Sequence, residues 1–150
     1  MSALGRILII EDDALIRRGL CESLGAAGFD TVAAQDVAGG RQQARWAHPD
    51  LIILDLGLPD GNGLDVLEVL AESGALVPVL VLTGLDASDV KMPALRSGVQ
   101  EFLKKPVREP ALLHAVAKLL ATSDATRSWS PRGSGTFDWR TDSGYGTHRR

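Results

Sequence analysis

Pro49-Asp50-Leu51-Ile52-Ile53-Leu54-Asp55-Leu56-Gly57-Leu58-Pro59-Asp60-Gly61-Asn62-Gly63-Leu64 is the stretch on which the reading of the fold turns. Leu51 to Leu54 are four aliphatic residues with no polar alternation. A strand with one wet face alternates; a strand buried on both faces, as in a parallel sheet, does not. The run stops at a carboxylate, Asp55, and passes into a segment rich in Pro, Asp, Gly and Asn, the residues of tight turns. Leu64, Leu67 and Leu70 then recur at helical spacing. The stretch reads as one βα unit with an acid at the carboxyl end of its strand.

Similar units lie on either side. Ile7 to Ile10 (ILII) and Val79 to Leu82 (VLVL) are the other strong runs, and weaker strands are expected at Asp30 to Ala34 and Gln100 to Lys104. Asp13 is placed to cap a helix with inner face Ile16, Leu20 and Leu24, and Gly28 sits where that helix should stop. A polar, weakly patterned helix is expected over about Val37 to Trp46, with Trp46 read as a packing residue. Another over about Ser88 to Ser97 contains Pro93, which should shorten or kink it. Leu112, Val116, Leu119 and Leu120 mark the last helix. Five βα units without an internal sequence repeat imply a doubly wound α/β domain on a five-stranded parallel sheet.

The 150 residues suffice for one domain, and 45% apolar with 23% charged residues is globular composition. A net charge of −3 offers no global basic field for nucleic acid. The single cysteine, Cys21, excludes an internal disulfide framework. The N-terminus reaches acidic residues after four consecutive apolar ones, too few for a signal peptide or a spanning helix, so a soluble, cytoplasmic protein without a membrane partner is expected. Residues 1–122 carry net −5 and residues 123–150 net +2. The last 28 residues hold 13 Ser, Thr or Gly and no Leu, Ile or Val. The expected organisation is a domain over 1–122 and a disordered Ser/Thr/Gly-rich tail over 123–150.

In doubly wound folds ligands bind beyond the carboxyl ends of the strands. Those ends carry Glu11-Asp12-Asp13, Asp55, Thr83-Gly84 and Lys104-Lys105-Pro106. Several carboxylates at one sheet edge repel one another, and a hard divalent cation removes the conflict. Carboxylates with water and phosphate oxygens suit Mg²⁺. Zinc lacks a ligand set, since His48, His114 and His148 are far apart in sequence. A carboxylate beside Mg²⁺ and a lysine can attack phosphorus and become an aspartyl phosphate. Asp13 reads as a helix cap, Lys104 as solvated, and Pro59, Gly61 and Gly63 as loop geometry.

Ile7 to Asp13, Pro49 to Leu64, Val81 to Gly84 and Gly98 to Pro106 together, in this order and spacing, resemble the receiver domains of bacterial response regulators. The resemblance covers about residues 5–121. It implies a flavodoxin-like (βα)5 fold with strand order 2-1-3-4-5. It implies Asp55 as phosphorylated nucleophile, Asp12 as direct Mg²⁺ ligand, Glu11 as ligand through water, and the Gly57 carbonyl as a further ligand. Thr83 and Lys105 would bind phosphoryl oxygens, Phe102 would be the switch aromatic, and the bond before Pro106 would be cis. The implied partners are a histidine kinase or phosphotransfer protein, an unknown output protein, and a second copy if phosphorylation drives a homodimer. A receiver of this kind is no enzyme beyond its own phosphorylation and dephosphorylation.

The departures carry information. Gly57 stands where a larger residue is usual and Gly84 where Ala is usual, which points to an altered lifetime of the phosphorylated state. The loop most resembles the winged-helix subfamily, which often has acidic residues at 100 and 101 and an arginine near 114; Glu101 keeps that pattern, whereas Gln100 and His114 depart from that subfamily's dimer contacts. The tail is basic and holds Trp129, Phe137, Trp139 and Tyr145, but it lacks the aliphatic residues of a DNA-binding domain, so DNA binding by this chain alone is not expected. Three functions compete: a phosphorylation-dependent receiver acting on a protein partner, a transcription regulator without its DNA-binding domain, and an aspartyl-phosphate hydrolase. The last lacks a second acid and a substrate-covering insertion.

Overall fold

Residues 4–74, 76–84 and 99–128 are described by the structure, a computed structural model, with side chains for all of these but Ser73 and 123–128. The helix expected over Ser88 to Ser97, with Pro93, and the end of the tail lie outside the described residues.

The aliphatic runs are strands: β1 (Arg6–Ile10), β2 (Asp30–Ala34), β3 (Leu51–Asp55), β6 (Val79–Thr83) and β7 (Glu101–Lys104). They form one sheet in the order β2-β1-β3-β6-β7, with every pairing parallel. Counting only these five strands, that is the expected 2-1-3-4-5. Two short strands, β4 (Gly57–Leu58) and β5 (Gly61–Asn62), make an antiparallel hairpin after β3.

Alternate residues of the central strands feed two cores. Leu8, Ile10, Ile52, Leu54, Val79 and Val81 join one cluster with residues of α2 (Val37–Trp46) and α3 (Leu67–Ser73). Ile7, Ile9, Leu51, Ile53, Leu80 and Leu82 join the other with Leu20 and Leu24 of α1 (Ala14–Ala26). Leu112, Val116 and Leu119 of α4 (Glu109–Ser128) complete it. A sheet covered on both faces has no wet side, which is why its strands show no alternation. Asp13 caps α1 as expected, accepting the N–H groups of Leu15 and Ile16. Among the described residues no helix is long and apolar enough to cross a membrane.

The weak pattern of α2 has a packing cause. Its buried residues are Val37, Gly40 and Ala44, small groups that leave little hydrophobic signal. A glycine inside a helix costs about 1 kcal/mol relative to alanine. Here it permits close approach: a β-carbon on Gly40 would lie 2.8 Å from Cδ1 of Ile10. Trp46, expected to pack, is instead 69% exposed. It follows Ala44 by two positions, roughly 200° around the helix, and so faces away from the buried stripe. The helix of the third unit also begins later than the leucine spacing suggests. Gly63–Val66 form a turn of 3₁₀ helix capped by Asn62 before α3 starts. The last helix continues past residue 122 to Ser128.

Candidate functional site

The register of the sheet assembles the acids. Ile10 pairs with Leu54, so the residues that follow them, Glu11 and Asp55, emerge at the same edge. Glu11, Asp12 and Asp55 each offer a carboxylate oxygen within 4.8 Å of the others, a spacing that could hold a metal ion. Glu11 is 1% exposed and Asp55 8%, while Asp12 is open to solvent. Lys105, after β7, reaches back across the sheet edge. Its Nζ lies 2.7 Å from Oε1 of Glu11 and 3.4 Å from Oδ2 of Asp55. The Lys105–Pro106 peptide is cis, as the resemblance implied.

The electrostatics of this group are unbalanced. Burial, above all, pushes the Glu11 carboxyl above its ordinary range, against the lowering contacts with Lys105 and the Asp13 N–H; the Asp55 charge adds to the rise. Burial alone would depress the Lys105 ammonium, but the hydrogen bond to Glu11 and the Asp55 charge outweigh it and hold it above the usual lysine value. So the ammonium is kept charged, while one cation does not offset the desolvation of Glu11. Oε1 of Glu11 is buried, and the Lys105 ammonium at 2.7 Å is its charged neighbour. Three carboxylates that share one ammonium, two of them buried, fit a hard divalent cation.

Thr83 and Phe102 sit where the strands predict. Thr83 ends β6, is buried, pairs with Lys104, and its carbonyl accepts the Lys105 N–H at 2.9 Å. Phe102 pairs with Val81 and is half-buried against the α2–α3 side of the core. Gly57 follows Asp55 closely, and its N–H donates to Oδ1 of Asp55 at 3.2 Å. Gly57 is exposed, and a β-carbon there would touch nothing within 4 Å.

Three residues act here that the sequence reading did not assign to the site. Arg17 donates from Nη1 to the carbonyls of Glu11 (2.8 Å) and Asp12 (3.3 Å), bracing the acidic turn from α1. Gly63, read as loop geometry, is pressed against β3: a β-carbon would run into the Asp55 carbonyl oxygen. Asp60 stays in the loop, and its carboxylate accepts N–H groups at the start of α2. Charge and spacing carry no signal for contacts to backbone groups across such separations. Gln100 is also committed, accepting the Val79 N–H at 2.7 Å, and Glu101 pairs with Lys118 at 3.3 Å.

The profile of the family described as "Response regulator receiver domain" matches residues 7–117. The chain is 35% identical over 127 residues to the swarming motility regulation protein RssB of Serratia marcescens, spanning 83% of this chain and 58% of that protein. It is 41% identical over 100 residues to the KDP operon transcriptional regulatory protein KdpE of Escherichia coli strain K12, spanning 67% and 44%. The chain thus spans about half the length of these curated relatives. The receiver domain of the Francisella response regulator 1452 aligns at TM-score 0.72 and 26% identity, covering 79% of this chain and 98% of that one. A CheY-like receiver domain protein from Methanospirillum hungatei JF-1 shares the fold at TM-score 0.77 and 23% identity, covering 82% and 98%.

Proposed function

The chain belongs to the response regulator receiver family of two-component systems, and we propose that it takes a phosphoryl group onto Asp55 from a histidine kinase or phosphotransfer protein and thereby switches a protein-binding surface. The observation that carries this reading is the placement of Lys105 between the buried carboxylates of Glu11 and Asp55, with Asp12 alongside. In the transfer, an Asp55 oxygen forms a bond to phosphorus as the bond from phosphorus to the donor imidazole nitrogen breaks. The imidazole leaves with that electron pair and takes up a proton. No oxidant or reductant is involved, and the product is a state of the protein itself.

Asp12 and Asp55, the Gly57 carbonyl, and Glu11 through water would hold Mg²⁺. When bound, the ion neutralises charge on the transferring phosphoryl oxygens. Lys105 exchanges its contact with Asp55 for one with a phosphoryl oxygen. Thr83 donates its hydroxyl to another, and Phe102 moves into the space Thr83 vacates. Such a reaction belongs in the cytoplasm, where histidine kinases present their donors. The direct test is intact mass after incubation with Mg²⁺ and a small-molecule phosphodonor: one phosphoryl addition, lost in chelator, is expected.

Thr83 cannot carry the switch alone. Moving a population from 1:99 to 99:1 needs about 5.5 kcal/mol of differential binding. One hydrogen bond to a charged group contributes roughly 1.5–3 kcal/mol. Thr83→Ala should therefore keep phosphorylation yet weaken phosphorylation-dependent partner binding by about ten-fold or more, at about 1.4 kcal/mol per ten-fold. Titration of partner with phosphorylated protein checks this, and equal affinities would break the proposed link between Thr83 and output.

Gly57 leaves the site without a side chain where an attacking water would approach. Asparagine fits there without moving the backbone, and its amide can orient water. Gly57→Asn should shorten the half-life of the acyl phosphate by roughly three-fold or more. An unchanged decay rate would remove Gly57 from the account of that lifetime.

A second reading draws on the names of the relatives, since KdpE is a transcriptional regulatory protein. Under it, the receiver serves a DNA-bound output. Mobility-shift assays with the phosphorylated chain separate the two readings.

A further inference from the structure

The β4–β5 hairpin that carries Gly57 is tied to α2 by one side chain. Asp60 lies in its turn, and its carboxylate accepts the N–H of Val37 at 2.7 Å and of Ala38 at 3.1 Å. These are first-turn groups of α2 with no acceptor inside the helix. Asp36, at the ordinary capping position, takes the N–H of Gly39 instead, at 2.7 Å. So α2 has two carboxylate caps, one local and one from 23 residues away. The Val37 N–H, foremost, holds the Asp60 carboxyl below its usual range. Asp36 satisfies the Gly39 N–H, and Asp60 takes the two amides before it. What the second cap adds is a fixed position for the hairpin.

The other arm of the hairpin ends at the acids. Gly57 pairs with Asn62 and donates its N–H to Asp55. A chain of backbone and hydrogen bonds therefore runs from α2 through Asp60 and β4 to the Asp55 carboxylate. We propose that Asp60 is a positioning residue, whose bonds to the Val37 and Ala38 amides hold the hairpin so that the Gly57 carbonyl faces the cation site. This rests on the reading of Asp12, Asp55 and Gly57 as the Mg²⁺ site.

The test is titration of Mg²⁺ alone into the full, unphosphorylated chain, followed by amide NMR shifts. Supporting groups of a metal site are commonly worth ten-fold or more in affinity. Asp60→Ala should weaken Mg²⁺ binding by about ten-fold. Asp60→Asn keeps one acceptor for the Val37 N–H and should recover part of that loss. Asp36→Ala removes the local cap of the same helix without touching the hairpin, and should bind Mg²⁺ as the parent does. Wild-type affinity in Asp60→Ala overturns the proposal. So does an equal loss in Asp36→Ala, which would trace the effect to helix stability. Asp12→Ala is the reference for the site itself: if it titrates like the parent, the Mg²⁺ reading fails and this proposal falls with it.

Discussion

Asp55→Asn should gain no phosphoryl group under conditions in which the parent protein gains one. Asparagine keeps the shape of the side chain and an oxygen that can accept the Gly57 N–H, which now bonds Oδ1 of Asp55 at 3.2 Å. What it removes is the carboxylate proposed to attack phosphorus, and with it one negative charge. The fold should survive, because Lys105 retains Glu11 at 2.7 Å. It should even stiffen in chelator: the Asp55 charge helps raise the Glu11 carboxyl, and deleting it relieves that repulsion. The expected pair of results is a missing mass addition with a melting temperature at or above the parent's. A residue whose loss destroyed activity by unfolding would instead lower both. Phosphorylation of Asp55→Asn at the parental rate would move the nucleophile elsewhere, Asp12 being the next carboxylate in reach.

The legibility of this chain follows the physics of each element. β1, β3 and β6 announce themselves because burial on two faces demands unbroken aliphatic runs. β2 and β7 lie at the edges of the sheet, carry half-exposed residues, and read more weakly for that reason. Glu11, Asp12, Asp55 and Lys105 were legible because strand ends converge, and a rule of topology stands in for coordinates. Trp46 misled because a large aromatic raises the expectation of burial, whereas small Gly40 and Ala44 decide which face of α2 turns inward. The start of α3 slipped because Gly63, held against the Asp55 carbonyl, bends the chain through a 3₁₀ turn first. Asp60 and Arg17 left no trace, since a carboxylate or guanidinium seeking backbone groups imposes no periodicity on its surroundings.

Lys105→Met should destabilise the metal-free protein most at neutral pH and least in acid. The substitution keeps the length and apolar stem of the side chain but removes the cation beside Glu11 and Asp55. A buried carboxylate left unpaired costs about 1–3 kcal/mol or more. Lys105 keeps 21% of its side chain in water, which screens the pair, so a loss of about 1–2 kcal/mol is expected. The pH dependence fixes its origin. Glu11 has a folded pKa above its ordinary 4.5, so its contribution is most favourable below that value and is lost as pH rises through the folded one. Without Lys105 to lower it, the folded value climbs further and the loss deepens toward neutrality. Lys105 itself is raised above 10.5, so the stability it adds is present below that pH and fades as pH rises through its folded value. The gap between the two melting curves in chelator should therefore be small below about pH 4.5, widest near pH 7, and closing above about pH 10.5. Mg²⁺ should then raise the melting temperature of Lys105→Met more than that of the parent, because the ion no longer meets a competing cation at Glu11 and Asp55. A gap independent of pH would mean that Lys105 stabilises through its packing rather than its charge.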